Sequence, residues 1–149
     1  MKYYFFAFLL GSILVACNSN NDPYANKFGI KSSVVAQIDT AGYTYITWMD
    51  SVKDLGQLKP RESILLYFTF QNTGSTPLYI SSVSVSCGCT AVNYPSNPVS
   101  PKQTGTVTVR FNAKNYLDGY FRKTVGVTTN TRNKRRHILV FSGFINHKA

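Results

Sequence analysis

The 149-residue chain has little of what most catalytic sites are made from. It holds six Asp and Glu, two His, three Cys, two Met and one Trp. The carboxylates are Asp22, Asp39, Asp50, Asp54, Glu62 and Asp118, scattered so that no two form an acid–base pair. None of the many serines stands in a nucleophile elbow, and no glycine-rich phosphate loop is present. These absences argue against a hydrolase. No enzyme and no cofactor are expected. After Cys17 no apolar run approaches the roughly 20 residues that a membrane-spanning helix needs.

What the chain does have begins at its start. Met1-Lys2 is a short positive segment, Tyr3 to Leu10 is unbroken apolar sequence, and GSILVAC ends at Cys17. The whole apolar stretch is about 14 residues, too short to span and of the right form for a cleaved export signal. Leu14-Val15-Ala16-Cys17 resembles the lipobox of bacterial lipoproteins. That resemblance implies a diacylglycerol thioether on Cys17, cleavage before it and acylation of the new amine. One acyl chain holds a protein marginally, at about 0.8 kcal/mol per buried CH₂, and two or more hold it stably. The expected organisation is a lipoprotein signal peptide at 1–16, a lipidated Cys and flexible tether at 17–30, and one folded domain at 31–149. The tether NSNNDPYANKFG is polar, with Pro and Gly and no apolar period. Asn18 after the anchor leans toward the outer membrane of the bacterial cell envelope.

Charge is the second positive feature. Sixteen Lys and Arg against six Asp and Glu give a net charge of +10. Everything basic from Lys102 onward faces Asp118 alone. A basic exported protein meets anionic partners such as lipid headgroups, lipopolysaccharide phosphates and acidic glycans. Export argues against nucleic acid.

The remaining sequence is a succession of short strands. TYITWM within Tyr43 to Asp50 reads as an early strand, and SVKDLGQLKPRES reads as a break at Gly56 and Pro60. In ILLYFTFQ, period two places Ile64, Leu66, Phe68 and Phe70 on one face. Asn72 to Pro77 is a turn, and in LYISSVSVS the apolar phase slips at Ser81-Ser82, which suggests a bulge. In TVTVRFNA, Val107, Val109 and Phe111 point inward. Phe121, Val125 and Val127 share a phase that Lys123 breaks, and HILVFSGFI is apolar on both faces, as a central strand would be. No helical spacing is seen. Strands at this spacing read as an all-β, antiparallel sandwich of about seven strands, with Trp48 as a core residue.

Five segments, DLGQL, FTFQNTGSTPLYISSVSVSCGCT, NPVSPKQTGTVTVRFNA, GYFRKTVGVTTN and LVFSGFI, occur in an order that resembles the bacterial domain-of-unknown-function family 1573. The most specific parts are the NTGxxPLxI turn and CGCT. The match runs from Tyr43 to Ile145. It implies an immunoglobulin-like sandwich, similar to the domains of major sperm protein and of ciliary and spindle proteins. It also implies export, often as a lipoprotein, and it implies no activity. The basic TRNKRR segment departs from what every member would carry.

Two candidate sites follow. Cys87 and Cys89 point to one face of a strand with Cα atoms about 6.5 Å apart, near the limit for a disulfide. Gly88 between them tolerates unusual backbone angles. A strained disulfide, two packed thiols, a soft-metal site and thiol exchange all stay open, and an envelope thiol-redox or soft-metal protein is the alternative to a binding or scaffolding module. The usual exchange motif has two intervening residues on a βαβ scaffold. Other metal ligands are scarce: His147 is in the tail, and His137 adjoins the basic loop, where a neutral imidazole is expected to be disfavoured. The second site is that loop, where Arg132, Lys134, Arg135 and Arg136 form an anion-binding candidate for an envelope glycan, a lipid headgroup or another envelope protein. Trp48 and the tyrosines are candidates for stacking on a sugar ring.

Overall fold

The computed structural model describes residues 32–86, 91–114 and 116–146. Eight strands follow one short helix: α1 (Ser33–Ile38), then β1 (Ile46–Trp48), β2 (Val52–Leu58), β3 (Ser63–Asn72), β4 (Ile80–Val85), β5 (Ala91–Asn93), β6 (Thr104–Asn112), β7 (Gly119–Thr129) and β8 (Arg136–Ile145). They form two four-stranded sheets in the orders β1-β3-β6-β5 and β2-β8-β7-β4. Period-two alternation puts one face of each sheet against the other. Phe68, Phe70, Val107, Val109 and Phe111 face Val125, Val127, Leu139, Phe141 and Ile145, all fully or nearly fully buried. Burying each such Phe contributes about 2–3 kcal/mol. The rings of Phe111 and Phe121 stack at 4.8 Å, and Phe141 meets Phe111 edge-on at 5.3 Å. Lys123 escapes the core phase by laying its ammonium over the Tyr116 ring.

The sandwich and its inward residues agree with the sequence reading, as does the slip at Ser81, where the β4–β7 register shifts between Ile80 and Ser82. The strand apolar on both faces, β8, is indeed internal to its sheet. Four details differ. The segment read as a break is strand β2, because Gly56 at φ +62° makes a bulge and the strand resumes at Gln57. It pairs with β8 in parallel, so the sheet is not wholly antiparallel. Alternation failed to mark it because β2 is an edge strand and mostly exposed. The three-residue β5 lies inside a Pro-rich loop, and with β2 it raises the strand count to eight. Helix α1 was also not foreseen; a Ser32 hydroxyl caps it by accepting from the Val35 N–H at 3.3 Å, and Ala36 is its only buried residue. Among the described residues no helix is long and apolar enough to cross a membrane.

The strand directions define two ends. Asn72, Ile80, Thr104, Thr129 and Arg136 lie at one end; Ser63, Val85, Asn112, Gly119 and Ile145 lie at the other.

Candidate functional site

The first end is built around two buried asparagines. Asn72 Oδ1 accepts from Thr44 Oγ1 at 2.7 Å and from the Gly74 N–H at 3.1 Å, while its Nδ2 donates to the carbonyls of Thr76 and Val99. Asn130 Nδ2 donates to the carbonyls of Gly42 and Pro77, and its Oδ1 accepts from the Tyr79 N–H at 2.8 Å. A buried polar group left unpaired costs about 1–3 kcal/mol, so these bonds hold the surrounding loops firmly.

Onto this base the segment before β1 is laid alongside the β7–β8 loop. Thr44 forms an isolated parallel bridge with Thr131; its N–H donates to the Asn130 carbonyl at 3.1 Å and its carbonyl accepts from the Arg132 N–H at 2.9 Å. Both threonines are buried. Alternation then turns their neighbours Tyr43, Tyr45 and Arg132 outward. Arg132 Nη2 donates to the Thr40 carbonyl at 3.3 Å, and Tyr43 Oη donates to the Gln37 carbonyl at 2.7 Å. Tyr45 is 48% exposed.

The β5–β6 loop closes the far side. Ser100 to Gln103 is a turn, with the Gln103 N–H donating to the Ser100 carbonyl at 3.1 Å and Pro101 at its second position. Its third position, Lys102, has φ +67°, where glycine is the usual residue and a side chain costs about 1 kcal/mol. Lys102 Nζ donates to the Thr73 carbonyl at 3.2 Å. The result is an open groove of about 610 Å³ whose lining includes Tyr43, Tyr45, Thr73, Ser75, Lys102 and Arg132. Among the described residues no carboxylate pairs with Lys102 or Arg132.

The four loop cations therefore do not act as one patch. Arg132 enters the groove. Arg135 Nη1 reaches Tyr43 Oη at 3.5 Å. Arg136 lies across the outer face of the second sheet, donating to Ser84 Oγ at 3.4 Å and passing over Gly126, where a Cβ would meet its Nη2 at 3.0 Å. Lys134 is exposed, and its carbonyl accepts from Thr131 Oγ1. The tyrosines were foreseen as stacking candidates only as a group, so Tyr43 and Tyr45 were not picked out from the rest, and Lys102 was not foreseen. The local signal for Lys102 was the Pro-Lys pair in SPKQ, a turn with a cation at its glycine position.

His137 corrects an expectation. It is buried, its Nε2 is 3.1 Å from Thr131 Oγ1, and its ring is 6.0 Å from that of Trp48. Burial, reinforced by the nearby Lys134 charge, pushes its pKa below 6.5, although a backbone hydrogen bond involving Lys134 opposes this. Positive surroundings and desolvation both favour the neutral ring. Trp48 packs on Phe70 at 5.2 Å as a half-buried core residue and does not line the groove.

Cys17, Cys87, Cys89 and His147 lie outside the described residues. Ser86 and Ala91, which flank the CGCT segment, stand at the end opposite the groove and His137. The six residues of β4 put about 17 Å between the two ends. Among the described residues no three His, Cys, Asp or Glu cluster as metal ligands.

An immunoglobulin-like β-sandwich with a basic, tyrosine-lined loop end is the class that this architecture defines. Within that class the chain belongs to the family described as "Protein of unknown function (DUF1573)", whose model matches residues 46–145. No curated protein matches the chain. Among solved structures it is similar to a protein of unknown function from Porphyromonas gingivalis W83, at 12% identity and a TM-score of 0.60 over 80% of this chain and 51% of that one. It is also similar to the secreted serine protease VesC from Vibrio cholerae, at 12% identity and 0.55, over 76% of this chain and 25% of that one. The periplasmic chaperone SfaE matches at 8% identity and 0.50, over 70% of this chain and 58% of that one. The chain thus spans about half of the first protein and a quarter of the second. At these identities the likeness is one of fold.

Proposed function

We propose that the protein is a non-enzymatic, lipid-anchored binding or scaffolding module of the bacterial cell envelope, held at the outer membrane through Cys17. Its groove-bearing end engages an anionic partner. The observation that carries this reading is the loop end of the sandwich, where Lys102 and Arg132 line an open groove and, among the described residues, neither is paired with a carboxylate. The export signal, the lipobox and the net charge of +10 support it.

The test takes the full-length protein in a bacterial host and follows it by membrane fractionation and by the mass of its N-terminal peptide. The wild type is expected in the membrane pellet with an acylated Cys17. Cys17→Ser is expected in the soluble fraction, unacylated. A soluble wild type with an unmodified thiol would remove the anchor from the proposal. Purified in detergent, the wild type is expected to bind an acidic polysaccharide, or anionic vesicles in preference to neutral ones, and the absence of both would remove the anionic partner.

A further inference from the structure

We infer that the groove is a binding site for an acidic sugar, a pyranose ring carrying a carboxylate or phosphate group. This rests on the reading of the basic end given above and narrows its ligand. Three kinds of group converge there. Tyr43 and Tyr45 are neighbours of one buried residue, Thr44, and so emerge together on the groove side. Tyr45, the exposed one, offers the apolar face of a sugar a stacking surface, while half-buried Tyr43 is fixed beside it by its hydrogen bond to the Gln37 carbonyl. Thr73 and Ser75 supply small polar groups at the groove wall. Lys102 and Arg132 supply positive charge. Tyrosine with hydroxyls alone would fit a neutral sugar, and cations alone would fit any anion. The combination fits a ring and a charge in one molecule.

The backbone adds an independent observation. Among the described residues two turns have Pro followed by a cation at positive φ: Pro60-Arg61 and Pro101-Lys102, at +65° and +67°. Both are closed by a hydrogen bond, Glu62 N–H to the Lys59 carbonyl and Gln103 N–H to the Ser100 carbonyl. Glycine would relieve the backbone at either place. Only Lys102 lines the groove. The two positions therefore separate backbone relief from ligand contact.

The test titrates the full-length protein in detergent with trigalacturonate, glucose 6-phosphate and neutral maltotriose, read by calorimetry; in parallel its binding to phosphatidylglycerol vesicles is measured as the excess over phosphatidylcholine vesicles. An acidic sugar is expected to bind, and maltotriose at least tenfold more weakly. Lys102→Gly is expected to melt no lower than the wild type and to lose at least tenfold in affinity. Arg61→Gly, with the same backbone relief, is expected to keep full affinity, as is Lys134→Ala. Tyr45→Ala is expected to lose at least tenfold while binding vesicles as before. If acidic sugars fail to bind while vesicles do, or if Tyr45→Ala binds sugars unchanged, the groove assignment is overturned and the broader anionic reading stands. If no anionic probe binds, both fall.

Discussion

His137 shows how one side chain can report on the loop above it. Its ring is buried beside Thr131, and its pKa lies below the ordinary 6.5. Below pH 6.5 the unfolded chain takes up a proton that the folded chain refuses until the pH reaches the lower folded value. Stability is therefore expected to be independent of this residue above pH 6.5 and to fall as the pH drops through that window. Thermal melts at pH 7.5 and 5.5 check it: His137→Gln should lose less on acidification than the wild type. Equal losses would mean that the ring contributes nothing to acid sensitivity. The sequence could not place this residue, because burial depends on which strand covers it. Phe68, Phe70 and Phe111 were legible because alternation is a local rule. Tyr45, Lys102 and Arg132 come from three segments far apart in the chain, and no local pattern joins them.

At the scale of elements, the long inner strands β3, β6, β7 and β8 were legible, as were the edge strands β1 and β4, while the edge strands β2 and β5 were not. Edge strands such as β2 bury few side chains, so their sequences carry little pattern, and the Gly56 bulge interrupts what there is. A glycine can also be needed inside a regular strand. At Gly105 in β6 a Cβ would lie 2.4 Å from the Phe70 ring, which is fully buried and has no room to yield. Gly105→Ala is expected to destabilise the protein by about 1–3 kcal/mol, as overpacking does. Urea unfolding checks this, and a variant within about 0.5 kcal/mol of wild type would show that the two sheets can slide apart to accept a methyl.

For the whole molecule, the asymmetry of charge separates two modes of binding. Attraction of a +10 chain to an anionic surface acts over a Debye length, which shrinks from about 10 Å at 0.1 M salt to 3 Å at 1 M. Contact of a sugar with Tyr45 is short-ranged and insensitive to salt. Raising salt from 0.05 to 0.5 M is therefore expected to weaken the preference for anionic over neutral vesicles by more than tenfold and sugar binding by less. Measuring both on one preparation checks it; equal losses would leave charge as the whole of the interaction. The family and the sandwich could be read from sequence because they rest on many strands at once. The separation of the groove from the ends of the CGCT segment could not, since it depends on strand direction.

The place of β8 has a consequence in time. It lies between β2 and β7 and is the last of the eight strands to leave the ribosome. Residue 52 has to wait for residue 140, and until then β2 has no neighbour in its sheet. Pairings that span so much chain close slowly, in milliseconds to seconds for folds of this kind. A keystone made last leaves the second sheet open until the final strand has been made.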